Sequence, residues 1–211
     1  GDKVESPKLR EKEIIKLEPE EVVNLLNAVE TGEDLSPTER RFHDITKLRD
    51  VAIMTLFLGT GVRISELVGL DVKDIDFSQN AFTITRKGGG RVILYFSDEV
   101  KQSLLNYLEE RNAKASEDEP AFFLSLQNKR ITTRAVEKLV KKYCSGVTPL
   151  KKITPHKLRS TYGTNLYRET GDIYVVASVL GHKDVNTTKK YYAQISDDIR
   201  RNASKKVKLR D

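Results

Sequence analysis

Gly59-Thr60-Gly61-Val62-Arg63-Ile64-Ser65-Glu66-Leu67 decides how this chain is read. The residues before it, Val51, Ala52, Ile53, Met54, Leu56, Phe57 and Leu58, are apolar nearly all round a predicted helix from about Ile45 to Leu58. Such a helix belongs inside a domain, and Gly59 is placed to end it. The chain then turns, and Arg63 begins the next helix with Glu66 three residues on. On a helical turn Glu66 lies on the side of Arg63 and can orient its guanidinium, although a surface ion pair at the same spacing would look identical. A buried helix therefore ends where a cation begins.

Outward from this stretch the chain is mostly helical. Gly1 to about Ile14 is polar and mixed in charge, as a linker is, and Pro19 opens a helix with an apolar stripe of Val22, Val23, Leu25, Leu26 and Val29. A polar stretch with Gly32, Ser36 and Pro37 separates it from the buried helix. Downstream the period changes to two: Phe82 and Ile84, then Val92, Leu94 and Phe96, flank Lys87-Gly88-Gly89-Gly90-Arg91, which predicts a hairpin with a basic, glycine-rich tip. Helices return with Ser97 as a cap for a run to about Ala115, with Val136, Leu139, Val140 and Tyr143 on one face, and with Thr154-Pro155 as a capped start. Gly181 ends a helix led by Asp172, and Asn186 can cap a short one bearing the tyrosines. From Ser196 on, the sequence is polar and basic. The expected fold class is mainly α with a small antiparallel β-sheet (α+β).

Composition bounds the function. Of 211 residues, 38% are hydrophobic and 32% charged, so the chain can fold round a real core. Lys and Arg outnumber Asp and Glu by 37 to 31, a net charge of +6 that suits a polyanionic partner without demanding one. A single cysteine, Cys144, rules out an internal disulfide and follows an apolar stripe, as a buried thiol does. No apolar run approaches the ~20 residues of a membrane span, and the charged N-terminus is no signal peptide. A reducing, cytoplasmic setting and no membrane partner are expected.

Two further strings gather chemistry. In Thr154-Pro155-His156-Lys157-Leu158-Arg159-Ser160, His156 and Arg159 share a face of a helix's first turn, whose free N–H groups and dipole favour an anion; a solvated basic turn is the plainer alternative. Leu180-Gly181-His182 precedes Asn186-Thr187-Thr188-Lys189-Lys190-Tyr191-Tyr192, where a lone His or Tyr could equally be core. No HExxH, paired-carboxylate, thiolate or GxxxxGK[ST] pattern occurs, so neither metal nor cofactor is expected. Two Arg, a Lys, two His and a Tyr remain. That inventory suits attack on a phosphodiester: a phenol as nucleophile, guanidiniums on the non-bridging oxygens, and a Lys or His as acid toward the leaving hydroxyl.

These strings resemble the catalytic boxes of the tyrosine recombinase (phage integrase) family, in family order, from the helix at Pro19 to Tyr192. The resemblance implies that Arg63 and Arg159 bind the phosphate, that Lys87 on the hairpin is the general acid, and that His156 and His182 complete the site. It makes Tyr191, nine residues after His182, the nucleophile, with Glu66 in support of Arg63. Tyr192-Ala193-Gln194 resembles the Tyr-Ala-His around the family's nucleophile with Gln in place of His; counting from His182 without a gap selects Tyr191 over Tyr192. Lys87, Arg91 and Lys157 are the expected DNA contacts.

The resemblance further implies double-stranded DNA as partner, cleavage and rejoining through a 3′-phosphotyrosine without metal or ATP, a homotetramer on two DNA sites that is monomeric when free, and accessory directionality proteins as further partners. It divides the chain into a linker (1–14) from a missing N-terminal core-binding domain, a catalytic domain (15–195) and a basic tail (196–211) expected to pack on a neighbouring protomer or to touch phosphates. A type IB topoisomerase shares the chemistry, and a DNA-binding domain that has lost catalysis would share the fold. The short length and the Leu-Gly-His string argue against the first, and the full set of catalytic residue types against the second.

Overall fold

Proline and a reciprocal cap start both N-terminal helices. In α1 (Pro19–Thr31) the Glu21 carboxylate accepts the Glu18 N–H at 2.9 Å. In α2 (Pro37–Thr60) the Ser36 hydroxyl accepts the Glu39 N–H at 3.2 Å while Glu39 accepts the Ser36 N–H at 3.0 Å. A computed structural model of the chain describes residues 15–181, 197, 200, 201 and 203–210. They fall into two units, one over Lys16–Gly163 and one taking in the residues from Thr164 onward.

In the larger unit α2 packs on α1 and on α4 (Asp98–Lys114), and buries Ala52, Ile53, Met54, Leu56 and Phe57. It differs from the sequence expectation at both ends. It starts at Pro37 rather than near Ile45, because its polar first turns bury little besides His43 and show no apolar period. It ends at Thr60, with Gly61 rather than Gly59 as its left-handed cap (φ 69°, ψ 17°), and the Gly61 N–H reaches the Phe57 carbonyl at 3.0 Å. Gly59 lies within the helix and serves packing: a Cβ there would stand 2.5 Å from Val100 Cγ2 of α4.

After the short α3 (Ile64–Val68) and one 3-10 turn (Val72–Asp74), three strands form an antiparallel sheet in the order β1 (Ile75–Asp76), β2 (Ala81–Thr85), β3 (Arg91–Tyr95). Phe82 pairs with Leu94 and Ile84 with Val92, which puts the buried Phe82, Ile84 and Leu94 on one face. Ser97 caps α4 as expected, accepting the Val100 N–H at 3.4 Å. The connection to α5 (Thr133–Val147) carries Phe122 and Phe123 into an aromatic cluster with Tyr107, whose hydroxyl accepts the Leu124 N–H at 3.0 Å. Burial pushes that phenol up to about 12. On α2 the wholly buried Asp50 carboxylate takes hydrogen bonds from Thr46 (3.1 Å) and Arg49 (3.1 Å) of the same helix and from Tyr143 (2.6 Å) of α5, so this charge is paired.

Helix α6 (Pro155–Thr170) begins in the larger unit and continues into the smaller. There α7 (Ile173–Leu180) is capped by Asp172, which accepts the Tyr174 N–H at 2.9 Å, and closed by Gly181. In the tail, Asp197, Arg200, Arg201, Ala203 and Ser204 are helical and exposed, and Arg201 pairs with Asp197 at 3.1 Å. The expected linker at 1–14 and the short helix from Asn186 lie outside the described residues. Among the described residues no helix is long and apolar enough to cross a membrane.

Candidate active site

The site grows from the end of α2. Because Gly61 takes the left-handed conformation, the chain leaves the helix in one residue and reaches Arg63, extended (φ −76°, ψ 153°), at the start of α3. Glu66 Oε1 accepts the Arg63 N–H at 2.9 Å, so this buried carboxylate seats the arginine through its backbone. The other oxygen, Oε2, is buried without a hydrogen-bond partner among the described residues.

The second arginine arrives on α6. Thr154 caps its first turn, accepting the Lys157 N–H at 3.4 Å, and Thr161 of the next turn accepts the Leu17 N–H at 3.0 Å. Arg159 is 5% exposed, and its Nη1 donates to the Gly61 carbonyl at 2.6 Å across 98 positions of sequence. Both arginine strings thereby meet at one turn. His156, on the same first turn as Arg159, is exposed and borders a cavity of about 820 Å³ that also touches Ile64, Cys144 and Lys151. Burial pushes the Cys144 thiol up to about 12, which leaves it protonated and unsuited to act as a nucleophile near neutral pH.

Lys87 stands at the exposed apex of the β2–β3 hairpin. The apex is closed by the Arg86 N–H on the Gly90 carbonyl (2.7 Å) and the Gly89 N–H on the Arg86 carbonyl (3.0 Å), with Gly88 and Gly89 at φ 98° and 90°. Arg91 begins β3, exposed, with Asp74 at 3.5 Å, and Lys157 is half-buried on α6. The structure thus joins Arg63, Glu66 and Arg159 at one turn, sets His156 beside Arg159, and places Lys87 on a separate element. His182, Tyr191 and Tyr192 lie outside the described residues. The remaining histidine, His43, is buried with Nε2 at 2.6 Å from the Val29 carbonyl and belongs to the core.

Sequence reasoning passed over the Gly61 carbonyl and Thr60, whose hydroxyl donates to the Leu56 carbonyl at 2.6 Å and accepts the Val62 N–H at 3.4 Å. Two glycines flanking one threonine marked a tight turn, but nothing local announced a partner on α6.

Residues 16–198 match the model of the phage integrase family. The chain is 39% identical over 178 residues to the tyrosine recombinase XerS of Streptococcus agalactiae, which covers 82% of this chain and 49% of that protein. It is 35% identical over 161 residues to the tyrosine recombinase XerC of Thermodesulfovibrio yellowstonii, which covers 74% and 52%. It therefore spans about half the length of the curated relatives it matches. The crystal structure of XerA recombinase superposes with a TM-score of 0.74 at 25% identity, over 92% of this chain and 66% of that one. The same fold appears in XerH site-specific recombinase bound to a palindromic difH substrate, with a TM-score of 0.74 at 20% identity, over 90% and 53%. An arginine pair gathered at one helix end, on a fold held in common with these recombinases and inside a family match that runs from Lys16 to Asp198, makes this chain a member of the phage integrase family, the tyrosine recombinases.

Proposed function

We propose that this chain is the catalytic part of a site-specific DNA recombinase that cuts and rejoins strands through a covalent 3′-phosphotyrosine. One observation carries the reading: Arg159 is buried and hydrogen-bonded to the Gly61 carbonyl, which brings it to the turn that delivers Arg63. One guanidinium held on a backbone carbonyl and a second delivered from the same turn form a clamp for the oxygens of a pentacoordinate phosphorus, and the loss of one such group costs about 100-fold in rate. Tyr191 attacks the phosphorus, its phenolic proton passes to solvent water, and the bond to the 5′ oxygen breaks. Lys87, reaching from the hairpin apex, protonates that oxygen. His156 and His182 hydrogen-bond the phosphate. The 5′-hydroxyl of a partner strand reverses the step, and the ester conserves the bond energy, so ATP is not consumed.

Double-stranded DNA is the substrate in this reading. The net charge of +6, the exposed Lys87 and Arg91, and the DNA complex formed by the fold neighbour XerH support it. Two rounds of exchange call for four protomers on two sites, with residues 15–195 as the catalytic domain and the basic tail packing on a neighbour. Accessory directionality proteins would act on that assembly.

The test traps the covalent species. The chain and its Tyr191→Phe and Tyr192→Phe variants are incubated with nicked duplexes carrying candidate sites, and adducts are read on a denaturing gel. An adduct lost only in Tyr191→Phe is expected. Loss only in Tyr192→Phe moves the nucleophile by one residue. No adduct from this chain or from a longer form carrying an N-terminal domain would defeat the proposal.

A further inference from the structure

We infer that Gly61 is a positioning residue for both arginines: its left-handed backbone turns the chain toward Arg63 and aims its own carbonyl at Arg159. The inference rests on the reading of the site as a strand-cleaving centre. Every backbone N–H through the turn is held. Gly61 donates to Phe57 at 3.0 Å, Val62 to the Thr60 hydroxyl at 3.4 Å, and Arg63 to Glu66 at 2.9 Å. Val62 between them is completely buried. The turn is therefore fixed in place, and the one carbonyl that φ 69° swings out of the helix ladder meets the Arg159 Nη1 at 2.6 Å.

A guanidinium fixes its plane through its hydrogen bonds, so an acceptor on one nitrogen sets where the remaining N–H groups point. Moving that carbonyl re-aims Arg159. The same change of backbone angle moves the start of α3 and with it Arg63. Two charges on different elements thus depend on one peptide unit. A β-carbon at φ 69° is strained in alanine, whereas asparagine adopts this conformation far more readily.

The test compares Gly61→Ala, Gly61→Asn and Gly171→Ala with the unsubstituted chain in single-turnover cleavage of a nicked duplex, recording rate, half-saturating DNA concentration and melting temperature. Gly171 is the control, because it is also left-handed (φ 64°) with open space where a Cβ would point. Gly61→Ala is expected to slow cleavage by roughly 30- to 100-fold, the scale of one lost clamp group, with half-saturation changed less than about twofold, because many other phosphate contacts carry DNA affinity. Gly61→Asn recovers most of the rate, and Gly171→Ala lowers the melting temperature without slowing cleavage. Cleavage by Gly61→Ala at the unsubstituted rate overturns the inference. So does a natively folded Gly61→Asn that is slow, and this arm still decides the matter if the alanine variant does not fold.

A second readout is independent of cleavage. In the DNA-free chain the side-chain ¹⁵N resonances of Arg159 report its anchoring. They should lose their dispersion in Gly61→Ala and keep it in Gly61→Asn, and unchanged resonances in the alanine variant count against the joint. If the unsubstituted chain and its longer form yield no adduct, the strand-cleaving reading fails, while these resonances still decide whether Gly61 positions Arg159.

Discussion

Glu66 holds the Arg63 N–H at 2.9 Å through Oε1, while Oε2 of the same buried carboxylate has no hydrogen-bond partner among the described residues. The useful work of this side chain is done by one acceptor oxygen at a helix start, a role that resembles an N-terminal cap supplied from within the first turn. Glu66→Gln keeps an amide oxygen in the place of Oε1, so single-turnover cleavage should stay within a few-fold of the unsubstituted rate. Glu66→Ala leaves the Arg63 N–H unpaired and should lower stability by about 1 kcal/mol, the usual effect of losing a cap, and slow cleavage more than the glutamine variant does. Denaturant unfolding alongside the cleavage assay checks both, and equal rates for the two variants would refute the acceptor role.

Lys87 sits on an exposed apex where a β-carbon on Gly88, Gly89 or Gly90 would meet nothing within 4 Å among the described residues, so its replacement should leave the fold unchanged. Lys87→Ala is expected to melt within about 1 °C of the parent, since exposed substitutions seldom matter to stability, yet to cleave about 100-fold more slowly or worse if it is the general acid. A duplex with sulfur in place of the bridging 5′ oxygen offers a leaving group that needs no proton. On that substrate the lysine variant should recover. Failure to recover would assign Lys87 to phosphate binding instead.

Gly59 and Val100 make a sharper packing prediction. A methyl group added at Gly59 would stand 2.5 Å from Val100 Cγ2, well inside contact distance. Gly59→Ala should therefore cost about 1–3 kcal/mol through overpacking, in spite of alanine's better helix propensity. Val100→Ala opens space at the same spot. The double variant should be more stable than the sum of the single losses predicts, and a urea-unfolding cycle measures the difference. Simple additivity would mean that α2 and α4 shift apart without strain.

That pair also shows what a single sequence could and could not reveal. The apolar run at Val51–Leu58, the hairpin and the capped starts at Ser97 and Thr154 were legible, because each signal lies within a few residues of the structure it specifies. Gly59 looked like a terminator because glycine does end helices. Its real reason is a valine 41 positions away on another helix (100 − 59). The start of α2 was hidden because Pro37 to Asp44 carry no apolar period, although the Ser36–Glu39 capping pair announced it. The strand Ile75–Asp76 is too short to show alternation. For the site, the residue types within each string were readable, but the bond that joins two of the strings, Arg159 to Gly61, spans 98 positions and belongs to the packed fold alone.

Cys144 gives the chain a defined alkaline weakness. Burial raises its thiol to about 12 in the folded state, against about 8.5 in an unfolded chain. Above that lower value the unfolded chain loses a proton that the folded one keeps. Stability is therefore full below about pH 8.5 and falls as the pH rises toward 12, at up to about 1.4 kcal/mol per pH unit for this group. Tyr107, also raised to about 12, adds to the fall above about pH 10. Urea midpoints between pH 8 and 10 should decline in the parent and stay flatter in Cys144→Ala. Parallel curves would show that Cys144 is not the group responsible.

The turn at Gly61 has one more consequence. It closes the buried C-terminal half of α2, where Ala52, Ile53, Met54, Leu56 and Phe57 are almost wholly covered, so the amides of Phe57, Gly61 and Val62 should be among the slower described ones to exchange with solvent. In the proposed reading, a grip on phosphate built there would be as permanent as the fold. On that reading the timing of a strand cut would fall to elements that move more cheaply than this one.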